Sequence, residues 1–230
     1  MAASGGDIAP KGDAQGNQAS QAQARGQAPR PGEPGRAEYI AAQRHARSAA
    51  RDARSAASGG SPLSLEESRA LLATPTASSE ERVEAVDQLL DQGLEGEPDA
   101  PAVANILDSL REAALDPNPE VAIAATEALG EIETPASTQA LGDILASNAP
   151  ESVKLAAIDA ITSLDTAGAA VALSRGLRDA SPDVRDEAAW GMSWVDDRDQ
   201  SALSALVQAA NVETDELIFD TMVGAIEDYE

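Results

Sequence analysis

Apolar residues recur through the second half of the chain with a helical beat. From Val121, the residues at offsets 4, 8 and 11 are Ala125, Leu129 and Ile132. The same offsets from Val153 give Ala157, Ile161 and Leu164, and from Val184 they give Ala188, Met192 and Val195. Offsets of 0, 4, 8 and 11 lie on one face of an α-helix. The spacing is 32 residues from Val121 to Val153 and 31 from Val153 to Val184, which is an internal repeat. Each copy opens on turn chemistry: Asp116-Pro117-Asn118-Pro119, Asn148-Ala149-Pro150 and Asp179-Ala180-Ser181-Pro182. Asn118 and Ser181, each followed by proline, suit a helix N-cap with proline at the first helical position.

A second, shorter apolar stretch follows each helix, with Leu141 and Leu145, Leu173 and Leu177, and Leu203 and Val207 at equivalent places. The repeating unit is therefore a pair of helices, and stacking buries what one pair cannot. Small residues at the fourth offset let neighbouring helices approach closely, while the larger aliphatics fill the space between units. Upstream, Glu80 to Leu90 and Ala102 to Leu110 fit a further pair, residues 65 to 73 an initial cap, and Thr214 to Tyr229 a final helix without a visible partner. The expected fold is all-α, a short right-handed solenoid of four to five helix pairs over residues 61–230.

Residues 1–60 depart from this pattern. They are built from Ala, Gly, Gln, Ser, Pro and Arg, with almost no large apolar side chains to offset the entropy of ordering them, so a disordered tail is expected there. No apolar run approaches the roughly 20 residues that span a bilayer, and the first residues lack the apolar stretch of a secretory signal. The expectation is a cytoplasmic protein without membrane insertion.

Charge divides at the same place. The tail carries eight basic and five acidic side chains, the body eight basic and 35 acidic, so the tail is mildly basic and the body stands at −27. Such a body repels phosphate backbones, which argues against nucleic-acid partners. Arg44, Arg47, Arg51 and Arg54 fall on one stripe of a helix. That stripe is either a solvated basic linker or an arm that docks on acidic surface. The acidity also has two readings, recruitment of a basic partner or salt adaptation; lysine is confined to Lys11 and Lys154.

The repeat resembles the short HEAT repeats named for phycobilisome lyases. The stretch DPNPEVAIAATEALGEIETPASTQALGDIL, Asp116 to Leu145, carries the Pro-Glu-Val start, the Ala-Ala centre, the Ala-Leu-Gly end and the later Thr-Pro-Ala of that pattern, and SPDVRDEAAWGMSWV follows it well. ESVKLAAIDAITSL lacks the glycine. The resemblance implies two functions: scaffolds and adaptors that hold protein partners, and bilin lyases or other cofactor-handling proteins. A HEAT-like modified-base DNA enzyme is a third, which the −27 body argues against.

Candidate chemistry is sparse. There is no cysteine, His45 is the single histidine, and neither a Gly-rich phosphate loop nor a Gly-x-Ser-x-Gly motif occurs. The chain gives a tetrapyrrole little to bind, so no cofactor is expected, and a non-enzymatic protein-binding scaffold or adaptor is the favoured reading. At about 100° per residue, Trp190 and Trp194 point away from the helix face that carries the core. Their equivalents in the earlier copies are Glu127 and Asp159 for Trp190, and Glu131 and Ser163 for Trp194. In HEAT stacks the second helix of a pair lines the concave surface, so these six residues are expected to form a groove with an aromatic end and an acidic floor. A protein partner with a basic and apolar surface would fit it. Alternatively, the last helix, with Phe219, Met222 and Tyr229, folds over the tryptophans and makes them a capping core.

Overall fold

The computed structural model describes residues 63–74, 76–97, 100–164, 166–195 and 199–229, with residues 42, 45, 46, 48–51, 53 and 54. Almost all of the expected disordered segment, with Arg44 and Arg47, lies outside the described residues. Ala50 to Glu230 form one compact unit, and the description that follows concerns that unit.

Among the described residues the backbone is helical, with turns between helices. The helices are α1 (Leu65–Leu72), α2 (Ser79–Glu95), α3 (Pro101–Ala113), α4 (Pro119–Glu131), α5 (Pro135–Leu145), α6 (Glu151–Ser163), α7 (Ala169–Ser174), α8 (Pro182–Met192), α9 (Gln200–Ala210) and α10 (Glu216–Asp228), with a 3-10 turn at Gly176–Arg178. Their starts are encoded locally. Ser64 and Ser78 open α1 and α2 with reciprocal capping boxes to Glu67 and Glu81. Asn118 accepts from the Glu120 N–H ahead of α4, and Ser181 from the Val184 N–H ahead of α8, each followed by the expected proline. Gly168, at φ 91°, takes the left-handed conformation that turns the chain into α7.

The helices form two layers. The even-numbered helices α2, α4, α6, α8 and α10 pack in succession, α3, α5, α7 and α9 pack in succession beside them, and α1 lies against α2. Each odd helix also packs on the even helix that follows it, giving a solenoid of five helix pairs among the described residues in which the valine-started helices, first of each pair in the sequence pattern, are the second. The α10 helix, unpartnered in the sequence pattern, packs on α8 and α9 and completes the fifth pair.

The core is the one that the repeat predicts. Val121, Val153 and Val184, then Ala125, Ala157 and Ala188, then Leu129, Ile161 and Met192 are all fully buried, and Ile132, Leu164 and Val195 nearly so. Burying each large aliphatic contributes roughly 1.5–3 kcal/mol. In the odd layer Leu141, Leu145, Leu173 and Leu177 are buried as expected, but Leu203 and Val207 are not their counterparts. Leu203 is half-buried and Val207 is 40% exposed, while Ala202, Leu206, Ala209 and Ala210 face the core. The connections between paired stretches lengthen along the chain, from residues 132–134 to 164–168 to 193–199. The Asp199 cap, accepting from the Ser201 and Ala202 N–H groups, then sets the register of α9.

Candidate interaction face

The offsets that place the core also determine which side chains leave it. Counting from Val121, Val153 and Val184, the positions at +6 and +10 are Glu127 and Glu131 on α4, Asp159 and Ser163 on α6, and Trp190 on α8 with Trp194 in the turn just after it. The helix α2 joins this register when counted from Glu81, because Ala85 and Leu89 then fall at +4 and +8 and both are fully buried. Its +6 and +10 residues are Asp87 and Asp91. One face of the even layer thus carries three acidic pairs or part-pairs in succession and then a tryptophan pair.

Trp190 and Trp194 are both half-buried, with ring centroids 4.6 Å apart and planes at 61°, an edge-to-face pair one helical turn apart. Phe219 on α10 is 41% exposed, whereas Met222 is fully buried. Asp159 is exposed, and Ser163 is half-buried with its hydroxyl donating to the Ala160 carbonyl at 2.8 Å, on its own helix.

Glu131, Asp87 and Asp91 are engaged by two cations. Arg51 donates from Nη1 to Glu131 at 2.8 Å and lies with Nε 3.3 Å from Asp91, so one guanidinium links the +10 positions of α2 and α4. Arg54 forms a fork on Asp87, Nε to Oδ2 at 2.8 Å and Nη2 to Oδ1 at 3.0 Å. This hydrogen bonding, aided by the charges of Asp87, Glu127 and Glu84 and opposed by partial desolvation, holds the Arg54 guanidinium above its ordinary pKa. Asp87 and Asp91 are absent from the sequence reading. Their copy begins on Glu81 in place of valine and stands 40 residues before Val121 instead of 31 or 32. Ala85 and Leu89 at the family spacing are the signal that would have found them.

A cleft of about 570 Å³ opens elsewhere, lined by Arg69, Leu72, Arg82, Glu112, Leu115 and Asp116, and contains none of these residues. Among the described residues no helix is long and apolar enough to cross a membrane. Nor does any group of three His, Asp or Glu side chains among them have the geometry of a metal site.

Fold and site together define an α-solenoid of repeated helix pairs with a polar-to-aromatic face along its even layer. The chain belongs to the HEAT repeat family: the profile of HEAT repeats matches residues 69–161 and 138–221, well over half of the sequence. No curated protein matches it significantly. Among solved structures it is similar to an engineered protein, with 20% identity over 80% of this chain and 89% of that one, at a TM-score of 0.46. It is also similar to a designed armadillo repeat protein in complex with the peptide (KR)4, with 21% identity over 72% and 82% of the two chains and a TM-score of 0.45. Human deoxyhypusine hydroxylase in complex with glycerol is a third, with 18% identity over 72% and 73% and a TM-score of 0.45.

Proposed function

We propose that this chain is a non-enzymatic scaffold or adaptor that receives a protein partner along the +6 and +10 positions of its even helices. The supporting observation is the row itself: acidic residues at repeat-equivalent places on α2, α4 and α6, continued at the end of α8 by two half-buried indoles packed edge to face. In a HEAT stack the second helix of each pair lines the concave side, and here those are the even helices. The acidic end suits guanidinium and ammonium groups, and the indoles suit an apolar anchor, so the partner presents basic and apolar side chains together. Tryptophans that share solvent exposure with burial dominate many interfaces.

The test is binding of the partner captured from the native host, once identified, to the full chain and its variants. Trp190→Ala or Trp194→Ala should weaken the complex by about 2 kcal/mol or more, roughly 30-fold. Glu127→Lys with Asp159→Lys should chiefly slow association and flatten its salt dependence, because rim charges steer encounter. Wild-type affinity in both alanine variants would sink the proposal. So would blue-shifted, quencher-protected indole emission combined with a large stability loss in both, which would make the tryptophans core.

A further inference from the structure

Building on that reading, we infer that the acidic groove between α2 and α4 is a receptor for a helix carrying arginines three residues apart, and that Arg51 and Arg54 occupy it as a resident competitor. A partner segment of the same chemistry must displace them.

The geometry supplies the recognition rule. Arg51 and Arg54 stand on helical backbone. Arg51 meets the +10 residues Asp91 and Glu131, and Arg54 the +6 residue Asp87, so chain direction in the segment opposes that of α2. Three residues of helix rise about 4.5 Å and four rise about 6 Å, so guanidinium groups at i and i+3 can reach carboxylates at i and i+4 of the facing helices. Arg51 contacts two consecutive repeats at once, and its side chain is only 14% exposed.

The segment is also held in a way that permits its release. Ala50 and Ala53, its described alanines in this unit, are both exposed, and Arg54 keeps 42% of its side-chain surface in solvent. These two alanines therefore bury scarcely any apolar area, and the described hold is electrostatic, weakened by solvent and salt chiefly at Arg54 and Asp91, the more exposed groups. Ten residues, 55–64, join it to α1, and a short tether of that length gives an effective concentration on the order of millimolar. A weak intramolecular contact can then keep the groove filled, while a partner that adds an apolar anchor on Trp190 and Trp194 has the surplus needed to replace it.

The probe is a labelled peptide of residues 41–58, AAQRHARSAARDARSAAS, titrated at low salt into the full chain. Arg51→Gln/Arg54→Gln should bind it about tenfold tighter than wild type, and adding Asp87→Asn/Glu131→Gln should return the affinity to the wild-type level or below. Equal binding by wild type and the arginine variant, or no binding to either, overturns the inference. Undiminished binding after the acidic residues are neutralised overturns it as well, since the peptide then sits elsewhere. An arginine variant that loses its cooperative melting transition shows a structural clasp in place of a competitor. Concentration-dependent dimerisation of wild type that vanishes in the arginine variant would assign the contact to a second copy. The scaffold proposal fails separately, through the tryptophan variants, whose partner affinity does not depend on the result with this peptide.

Discussion

At two of the contacts between neighbouring even helices a close approach involves two positions, +9 on one helix and +7 on the next. At the α4–α6 contact they are Gly130 and Ala160, and a Cβ on Gly130 would stand 2.7 Å from that of Ala160. At the α6–α8 contact the sizes are exchanged: Thr162 occupies +9, Gly191 occupies +7, and a Cβ on Gly191 would meet Thr162 Cγ2 at 2.8 Å. The glycine absent from the second copy has therefore moved across the interface, to the third. Two opposing effects act on Gly191→Ala. Alanine gains about 0.5–1 kcal/mol of helix propensity over glycine, and overpacking costs roughly 1–3 kcal/mol. The net effect should be destabilising in wild type. In a Thr162→Ala background the methyl that it meets is gone, and the same substitution should be neutral or slightly stabilising. Urea unfolding of the four proteins measures this, with a coupling of about 1 kcal/mol or more expected. An equal cost in both backgrounds would place the crowding at Leu173, 3.3 Å from the same built atom.

Successive units are also tied by an ion pair that recurs in register. The residue at +1 of an even helix reaches the one five before the core start of the next: Arg82 pairs with Asp116, Lys154 with Asp179, and Arg185 with Glu213. At the remaining contact these places hold Ala122 and Asn148, so cation and anion are missing together. Glu213 is the most heavily bound. It accepts Arg185 Nε at 2.7 Å and Nη2 at 3.1 Å, with the Thr214 and Asp215 N–H groups at 2.9 and 3.0 Å, and these hydrogen bonds lower its pKa to about 2. A depressed carboxyl stabilises fully above its unfolded value near 4.5, and the contribution is lost as pH falls through the folded value. The melting temperature of wild type should therefore exceed that of Glu213→Gln most above pH 5, and the gap should close between about pH 4.5 and pH 2. A gap independent of pH would show that Glu213 acts by shape instead of charge. This element-level order was only partly legible in the sequence. The cores of α4, α6 and α8 could be read because their spacing is nearly constant. The helices α2 and α10 could be read as well, but their register in the repeat escaped because their steps are 40 and 34 residues, although Ile218, Met222, Ile226 and Tyr229 repeat the 0, 4, 8, 11 offsets. The register of α9 was lost to the lengthening loops. Whether an off-core side chain is exposed or half-buried, as for Trp190 and Trp194, depends on neighbouring helices and has no local signature.

Across the whole molecule the dominant electrostatic fact is a net charge of −24, with 40 acidic side chains against 16 basic. The acidic residues are not confined to the row on the even helices. Glu66 on α1 and Asp108 and Glu112 on α3 are exposed on the odd helices. Self-repulsion of this kind opposes the compact state, and salt relieves it as the screening length shrinks from about 10 Å at 0.1 M to about 3 Å at 1 M. The inter-repeat ion pairs work the other way, but they are few and largely buried, hence less screened. Thermal melts of the full chain should therefore shift upward with NaCl across the whole range to 1 M. The contribution of the row can be separated with Glu127→Gln/Glu131→Gln/Asp159→Asn, which brings the net charge from −24 to −21. If repulsion is distributed, it falls as the square of net charge, so the variant should keep roughly three quarters of the wild-type response to salt. If instead the acidity is a local feature built for a basic partner, those three residues account for most of the strain, and neutralising them should abolish most of the shift while raising the melting temperature at low salt. The exposed acidic residues on the odd helices favour the first result. A response that collapsed in the triple variant would move the origin of the acidity to the interaction face.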